Sequence, residues 1–314
     1  MQRMDPARRS SRRALDLLAL LPYLAADLTA RLLPRPALEA LARALAGLAF
    51  ALRVPARRRL ESNLARVLGV ELAGGRARPR AIGETSAPGM ARAAREARLA
   101  YVRRAARASF ERFALAFVDF LELARLRPAA LTRAIVVEGE EHFRAARATG
   151  RGVIVLSVHA GNWEWGAAYL AAHGLPVHVV ARPHASPGVE SFFARRRAAW
   201  GVARLCGRPL WLAASAALRR RDWIAMMGDR AVSGARGSMC AWAGALARRT
   251  GAVVLPATMT RLADGRYLAR FQPLLDSASI AEGRYRAAML EQVRTAPGQW
   301  FAFEPLPETL LGPA

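Results

Sequence analysis

The sequence predicts an α/β fold: a layered mixed sheet flanked by helices, preceded by a helical N-terminal membrane-associating region. Three observations predict it. The first 130 residues carry apolar side chains at helical spacing, separated by arginines. From residue 134, short apolar runs alternate with helical patterns, the order that builds a sheet with helices packed on it. Near the N-terminus, the stretches Leu17 to Ala26 and Ala37 to Leu52 are too short or too interrupted to span a bilayer, yet both sit among arginines. The chain divides accordingly into residues 1–54, membrane-associating helices; residues 55–130, a helical segment packing on the core; and residues 131–314, the α/β core.

The elements follow in order. Arg3, Arg8, Arg9, Arg12 and Arg13 precede the first apolar run, as in a signal peptide. However, Asp16 and Asp27 bracket the run and no small-residue cleavage site follows it. Two helices lying in the membrane interface, arginines toward phosphates, are expected; a single tilted span and ordinary core helices are the alternatives. Helical spacing continues in Leu60 to Leu68 and in Met90 to Leu126, with a Gly/Pro/Arg-rich loop over Ala73 to Gly89 between them. Strands are expected at Ile135 to Val137, Gly152 to Val158, Pro176 to Ala181, Trp223 to Met227 and Ala252 to Met259. Tyr267 to Leu274, after the Asp264-Gly265 turn, reads as an edge strand. Helices are expected after Ile135 to Val137 as far as Thr149, at Trp163 to Ala172, Val189 to Trp200, Ala241 to Thr250 and Ala281 to Thr295.

Charge narrows the function classes. The 314 residues are 53% apolar and carry 48 basic against 24 acidic side chains, a net charge of +24. Every basic residue apart from histidine is arginine. Such a field attracts polyanions: nucleic acid, an anionic bilayer or an acidic carrier protein. No aromatic-basic RNA signature, zinc finger or helix-turn-helix is present, so no nucleic-acid partner is expected. A non-catalytic basic protein binding anionic membrane or nucleic acid is the rival reading. Cys206 and Cys240 form no CxxC pair and read as buried free thiols. There is no phosphate-binding glycine loop. The Gly-x-Ser-x-Gly elbow of a lipid hydrolase is also missing.

The chemistry concentrates in Val153 to Tyr169, VIVLSVHAGNWEWGAAY. A buried strand runs into His159, at the carboxyl end where open α/β sheets bind ligands. Asn162 is placed to cap the following helix, and Glu164 falls in its first turn, where the helix dipole favours a carboxylate. A histidine can take the proton of an alcohol as it attacks a thioester, while a carboxylate on the other ring nitrogen holds the tautomer. On a continuous helix His159 and Glu164 would point about 140° apart, so the loop between them is needed for the two to meet. A metal site on this pair lacks a second histidine at i+4 and a third ligand, so no metal is expected.

HAGNWE resembles the signature of the bacterial lipid A biosynthesis (lauroyl/myristoyl) acyltransferases, and the wider His-x4-acid pattern of glycerolipid acyltransferases. Other blocks are similar to the same family: Glu61-Ser-Asn63-Leu64, Val179-Val-Ala-Arg182-Pro183 with Arg197 and Gly201, Met227-Gly-Asp229-Arg230, Leu246 to Ala252 with Pro256, and Ala296-Pro297-Gly-Gln299-Trp300. The resemblance covers residues 55 to 300. It departs at Phe301 to Glu304, where the family carries a basic segment, and in the short stretch between Asp229 and Leu246.

The resemblance implies an O-acyltransferase with His159 and Glu164 catalytic. Arg182, Asp229 and Asn162 would support the substrate or transition state. It implies no resident cofactor: acidic acyl carrier protein or acyl-CoA serves as co-substrate. The acceptor would be a lipid A-type or other glycolipid, with another phospholipid or a phosphatidylinositol glycoside as the alternative. The expected location is the cytoplasmic face of the cell inner membrane, where acyl donors are available.

Overall fold

In the computed structural model, which describes residues 6–70, 88–205, 209–230, 239–275, 283–307 and 310, helices dominate the first third. They are α1 (Pro6–Leu32), α2 (Arg35–Ala51), α3 (Pro55–Leu68), α4 (Pro88–Leu123) and the short α5 (Pro128–Arg133). Strands and helices then alternate: β1 (Ile135–Glu138), α6 (Glu140–Ala148), β2 (Val153–Ser157), α7 (Trp163–Ala172), β3 (Val177–Val180), α8 (Pro187–Ala198), β4 (Ala203–Leu205), α9 (Leu210–Arg219), β5 (Trp223–Met227), α10 (Met239–Thr250), β6 (Val253–Arg261), β7 (Tyr267–Phe271) and α11 (Arg284–Thr295). A 3-10 turn, Pro297–Gln299, follows α11. Most of the expected loop over Ala73 to Gly89 lies outside the described residues; Pro88 and Gly89 already belong to α4.

The strands form one sheet in the order β1-β7-β6-β2-β5-β3-β4. All pairs are parallel except the β6–β7 hairpin. This is the expected mixed sheet, with two corrections. Tyr267 to Leu274 is not an edge strand: β7 lies between β6 and β1, which pairs with it in parallel. The edge is β1, only four residues long, and its partner lies more than a hundred residues away, so no local pattern reveals the pairing. The elements β4 and α9 were not anticipated. A three-residue strand shows no periodicity, and α9 carries four alanines among its ten residues, which blurs its apolar face.

Strand β2 is buried along its whole length because both sheet faces are covered. Successive side chains alternate between the two layers. Ile154 and Leu156 join Ile224, Met226 and residues of α3, α9, α10 and α11 in one core. Val153 and Val155 join Trp223, Ala225, Leu255 and residues of α5, α6, α7 and α8 in the other.

Among the described side chains, helices α1 and α2 attach through one face. Tyr23 packs against Phe117, Phe192 and Phe193, and Leu38 and Ala42 are buried. A buried ionic cluster adds to this: Asp119 of α4 accepts from Arg35 of α2, from Arg261 Nε of β6 at 3.0 Å and from the Tyr267 hydroxyl of β7. Arg261 also reaches Glu39 at 2.6 Å. Such a cluster holds register because removing one member leaves a buried charge unpaired.

The outer faces are different. Leu17, Leu21, Leu24, Leu28 and Leu32 on α1, and Leu41, Leu45 and Leu48 on α2 with Leu52 at its C-cap, recur at helical spacing and are all exposed. Among the described residues no helix is long and apolar enough to cross a membrane.

Candidate active site

The site arises from sheet register. Strands β2 and β5 are parallel neighbours, and their last paired residues are Ser157 and Met227. Two positions further on, the chains place His159 and Asp229 side by side. His159 Nδ1 lies 2.7 Å from Asp229 Oδ1, and the His159 backbone N–H donates to Asp229 Oδ2 at 3.1 Å. Trp300 Nε1 donates to the same oxygen at 2.8 Å. Burial opposes a charge on Asp229, but the His159 imidazole, the Arg230 guanidinium and the Trp300 N–H outweigh it and hold the carboxyl below the ordinary carboxylate range. An ionised Asp229 accepts from the Nδ1–H of the ring, and in the neutral ring Nε2 then keeps its lone pair. Among the described residues Nε2 has no hydrogen-bond partner, and the side chain is 19% exposed. The Arg230 Nε, 3.3 Å from Nδ1, is then a charge neighbour of the ring.

The loop after His159 is built for close approach. Gly161 sits at φ +59°, and a Cβ there would fall 1.8 Å from the Met259 carbonyl oxygen. Only glycine fits such a position. The Asn162 backbone N–H donates to that same carbonyl at 2.8 Å. As expected, Asn162 caps α7, its Oδ1 accepting from the Trp165 N–H at 3.3 Å. Its Nδ2 donates to the Ala116 carbonyl at 3.0 Å and to the Tyr267 hydroxyl at 3.2 Å, which joins the loop to α4 and the Asp119 cluster. Trp165 is buried and donates to the Asp119 carbonyl at 3.1 Å.

Glu164 is not the carboxylate on the His159 ring. Both its oxygens accept from Arg197 of α8: Nη2 to Oε1 at 2.5 Å and Nε to Oε2 at 2.9 Å. Both side chains are about nine-tenths buried. Burial works against the Arg197 charge, yet Glu164 more than offsets this and raises its pKa. The reason is geometric. Glu164 lies in the first turn of α7 and faces α8, while the strand end next to β2 already supplies Asp229.

Arg182 stands at the mouth. It follows β3 and donates to Glu304 Oε2 at 2.8 Å. Residues 300–304 cross the site as a strap: Phe301 N–H donates to the His159 carbonyl at 2.7 Å. Asn63 Nδ2 donates to the carbonyls of Ala302 and Glu304, each at 2.8 Å. The Gln299 side chain is bound through both its ends to the Arg261 backbone, at 2.7 and 2.9 Å. Beneath the loop, an apolar cavity lies between α7 and the sheet, lined by Val155, Ser157, Ala225, Met227 and Phe271 among others. Trp163 also lines it and meets the His159 ring edge-on, centroids 5.0 Å apart.

A histidine–carboxylate pair at adjoining strand ends, over an apolar cavity, suits proton transfer from a hydroxyl beside an acyl chain. Residues 96–306 match the family model for the bacterial lipid A biosynthesis acyltransferases. The chain belongs to that family. Membership makes it an acyltransferase working on a lipid acceptor. The match begins at residue 96, so the resemblance of Glu61 to Leu64 lies outside it. No curated protein matches the chain.

The fold brings together His159, Asp229 and Asn162, holds Glu164 on Arg197, and leaves Arg182 on the rim. Sequence reasoning did not single out Arg230 or Trp300 for the site. A usable signal existed: strands Val153 to Ser157 and Trp223 to Met227 each end two residues before a polar side chain, His159 and Asp229. Cys240 is a buried thiol whose pKa is pushed up by burial; Cys206 lies outside the described residues.

Proposed function

We propose that this protein transfers a fatty acyl group from a thioester, acyl carrier protein or acyl-CoA, to a hydroxyl of a lipid A-type or related glycolipid acceptor at the inner membrane. The observation that supports this best is the bond of His159 Nδ1 to buried Asp229, which leaves Nε2 as the proton acceptor. Nε2 takes the acceptor's O–H proton as the oxygen attacks the thioester carbonyl. The new C–O bond forms, the C–S bond breaks, and the proton passes from Nε2 to the departing thiolate. Asp229 stabilises the imidazolium formed between these steps. Positioned base catalysis of this kind contributes about 10² to 10⁴-fold.

Other features take supporting roles in this reading. The cavity beside Trp163, about 40 Å³, receives the start of the acyl chain, and the gap between α7 and the sheet widens to take more, each buried methylene adding roughly 0.8 kcal/mol. Glu164, through Arg197, joins α7 to α8 and so sets the pose of the loop carrying His159. The strap 300–304, where the residues depart from the family's basic segment, borders the acceptor. Another glycolipid, such as a phosphatidylinositol glycoside, therefore stays within the proposal. The leucine rows of α1 and α2 lie in the cytoplasmic leaflet, with arginines at its phosphates.

The test is acyl transfer by the wild-type protein and His159→Ala, each supplied with labelled acyl carrier protein or acyl-CoA and a lipid extract. Products are read by mass. A new acylated lipid with wild type, absent with His159→Ala, is the expected result and names the acceptor. Equal products from both proteins would overturn the reading.

A further inference from the structure

Glu304 stands where two arginines converge. Its Oε2 accepts from Arg182 Nη2 at 2.8 Å and lies 2.6 Å from Arg230 Nη1. The second contact is an ion pair without hydrogen-bond alignment. Among the described residues, buried Nη1 of Arg230 has no aligned acceptor. A buried donor in that state has capacity for a better-placed oxygen. The same guanidinium is next to the His159 ring. Two cations thus share one carboxylate oxygen at the entrance to the catalytic histidine.

The backbone at Glu304 is fixed, but its carboxylate is not enclosed. Asn63 holds the Glu304 carbonyl, and Phe301 is bonded to His159. The Glu304 and Arg182 side chains are 49% and 61% exposed. Glu304 can therefore rotate into solvent without moving the strap. What it leaves behind is a pair of guanidiniums facing one point, a geometry that suits phosphate, which offers more oxygens and more charge than a carboxylate.

We propose that Arg182 and Arg230 form a seat for a phosphate group of the substrate at the mouth of the His159 site, and that Glu304 is a displaceable carboxylate occupying that seat until substrate arrives. This rests on the acyl-transfer reading. The phosphate has two possible sources, the phosphopantetheine arm of the donor or a phosphate on the acceptor headgroup. In either case a negative charge stays beside Arg230, next to the ring that becomes an imidazolium. The two neighbouring cations also hold the Glu304 carboxyl below its usual range against partial burial, so it sits there ionised.

The experiment measures binding, so its result stands whether or not turnover is detected. Titration calorimetry of wild type, Glu304→Gln and Arg182→Gln/Glu304→Gln would use three probes: 4′-phosphopantetheine, pantetheine and glycerol 3-phosphate. Glu304→Gln is expected to bind a phosphate probe about tenfold more tightly than wild type, the scale of one charge-assisted hydrogen bond. Pantetheine should not respond, and adding Arg182→Gln should remove the gain. A gain with phosphopantetheine alone assigns the seat to the donor, and one with glycerol 3-phosphate alone to the acceptor. Thermal unfolding, with Glu304→Ala as second variant, verifies that each protein is folded. Unchanged affinity for both phosphate probes, no binding of either, or equal tightening of pantetheine overturns the proposal.

Discussion

His159 and Asp229 are 70 residues apart in the chain, yet the His159 Nδ1 atom lies 2.7 Å from Asp229 Oδ1. The parallel register of β2 and β5 creates this relationship, and no local segment contains it. Asp229→Asn keeps the size of the side chain but removes the charge that selects the Nδ1–H tautomer. Acyl transfer should fall by about 10³ to 10⁴-fold in kcat. Circular dichroism should show the fold retained. Wild-type turnover in Asp229→Asn would remove Asp229 from the mechanism.

Glu164 and Arg197 make the opposite forecast. Glu164→Ala leaves the Arg197 charge buried and unpaired, so unfolding free energy should drop by about 3–5 kcal/mol. The double variant Glu164→Leu/Arg197→Leu should regain most of that loss. Urea denaturation reads both. A fall in kcat without loss of stability in Glu164→Ala would instead place Glu164 in the chemistry.

Acid should weaken the protein partly through Asp229. Its folded pKa is depressed below the ordinary 3.8. It therefore contributes stability at pH values above 3.8 that is lost as pH falls through the lower folded value. Denaturation of wild type and Asp229→Asn from about pH 7 to pH 2 should show a constant gap at the upper end that closes in acid. A gap that widens in acid would contradict the sign.

Gly161 and Gly69 both have positive φ, +59° and +67°. Only Gly161 also faces a carbonyl oxygen within 1.8 Å of its would-be Cβ, whereas Gly69 faces open space. Gly69→Ala should cost about 1–2 kcal/mol, the penalty of a left-handed residue. Gly161→Ala should cost more and also abolish transfer, because the His159 loop cannot close on β6. Comparable unfolding midpoints for the two variants would sink this account.

The leucine rows predict a surface effect. Replacing Leu41, Leu45, Leu48 and Leu52 by Ser should lower partitioning to anionic vesicles at least about tenfold, since each buried leucine is worth roughly 1.5–3 kcal/mol. Vesicle co-sedimentation measures it. Partitioning equal to wild type would mean that this face does not enter lipid.

Much of the core was legible because its elements are locally encoded. The run Gly152 to Val158 is almost wholly apolar, and the strand occupies Val153–Ser157 within it, while Trp163 to Ala172, opened by an asparagine cap, is a helix over those same residues. The cap role of Asn162 was legible for the same reason: an N-cap bond spans three residues. The short β4, the position of β7 inside the sheet, and the partner of Glu164 were not legible. Each depends on a segment far away in sequence.

The alternation of strands and helices, the strand end that presents His159, and the glycine–asparagine turn that follows were readable in the residues, since these rest on side-chain periodicity and local backbone preference. Which carboxylate lies against the His159 ring depends on long-range packing. Sheet register puts Asp229 at the adjoining strand end, and α8 brings Arg197 to neutralise Glu164. A buried charge takes whichever partner the packing supplies, and packing is a property of the whole chain.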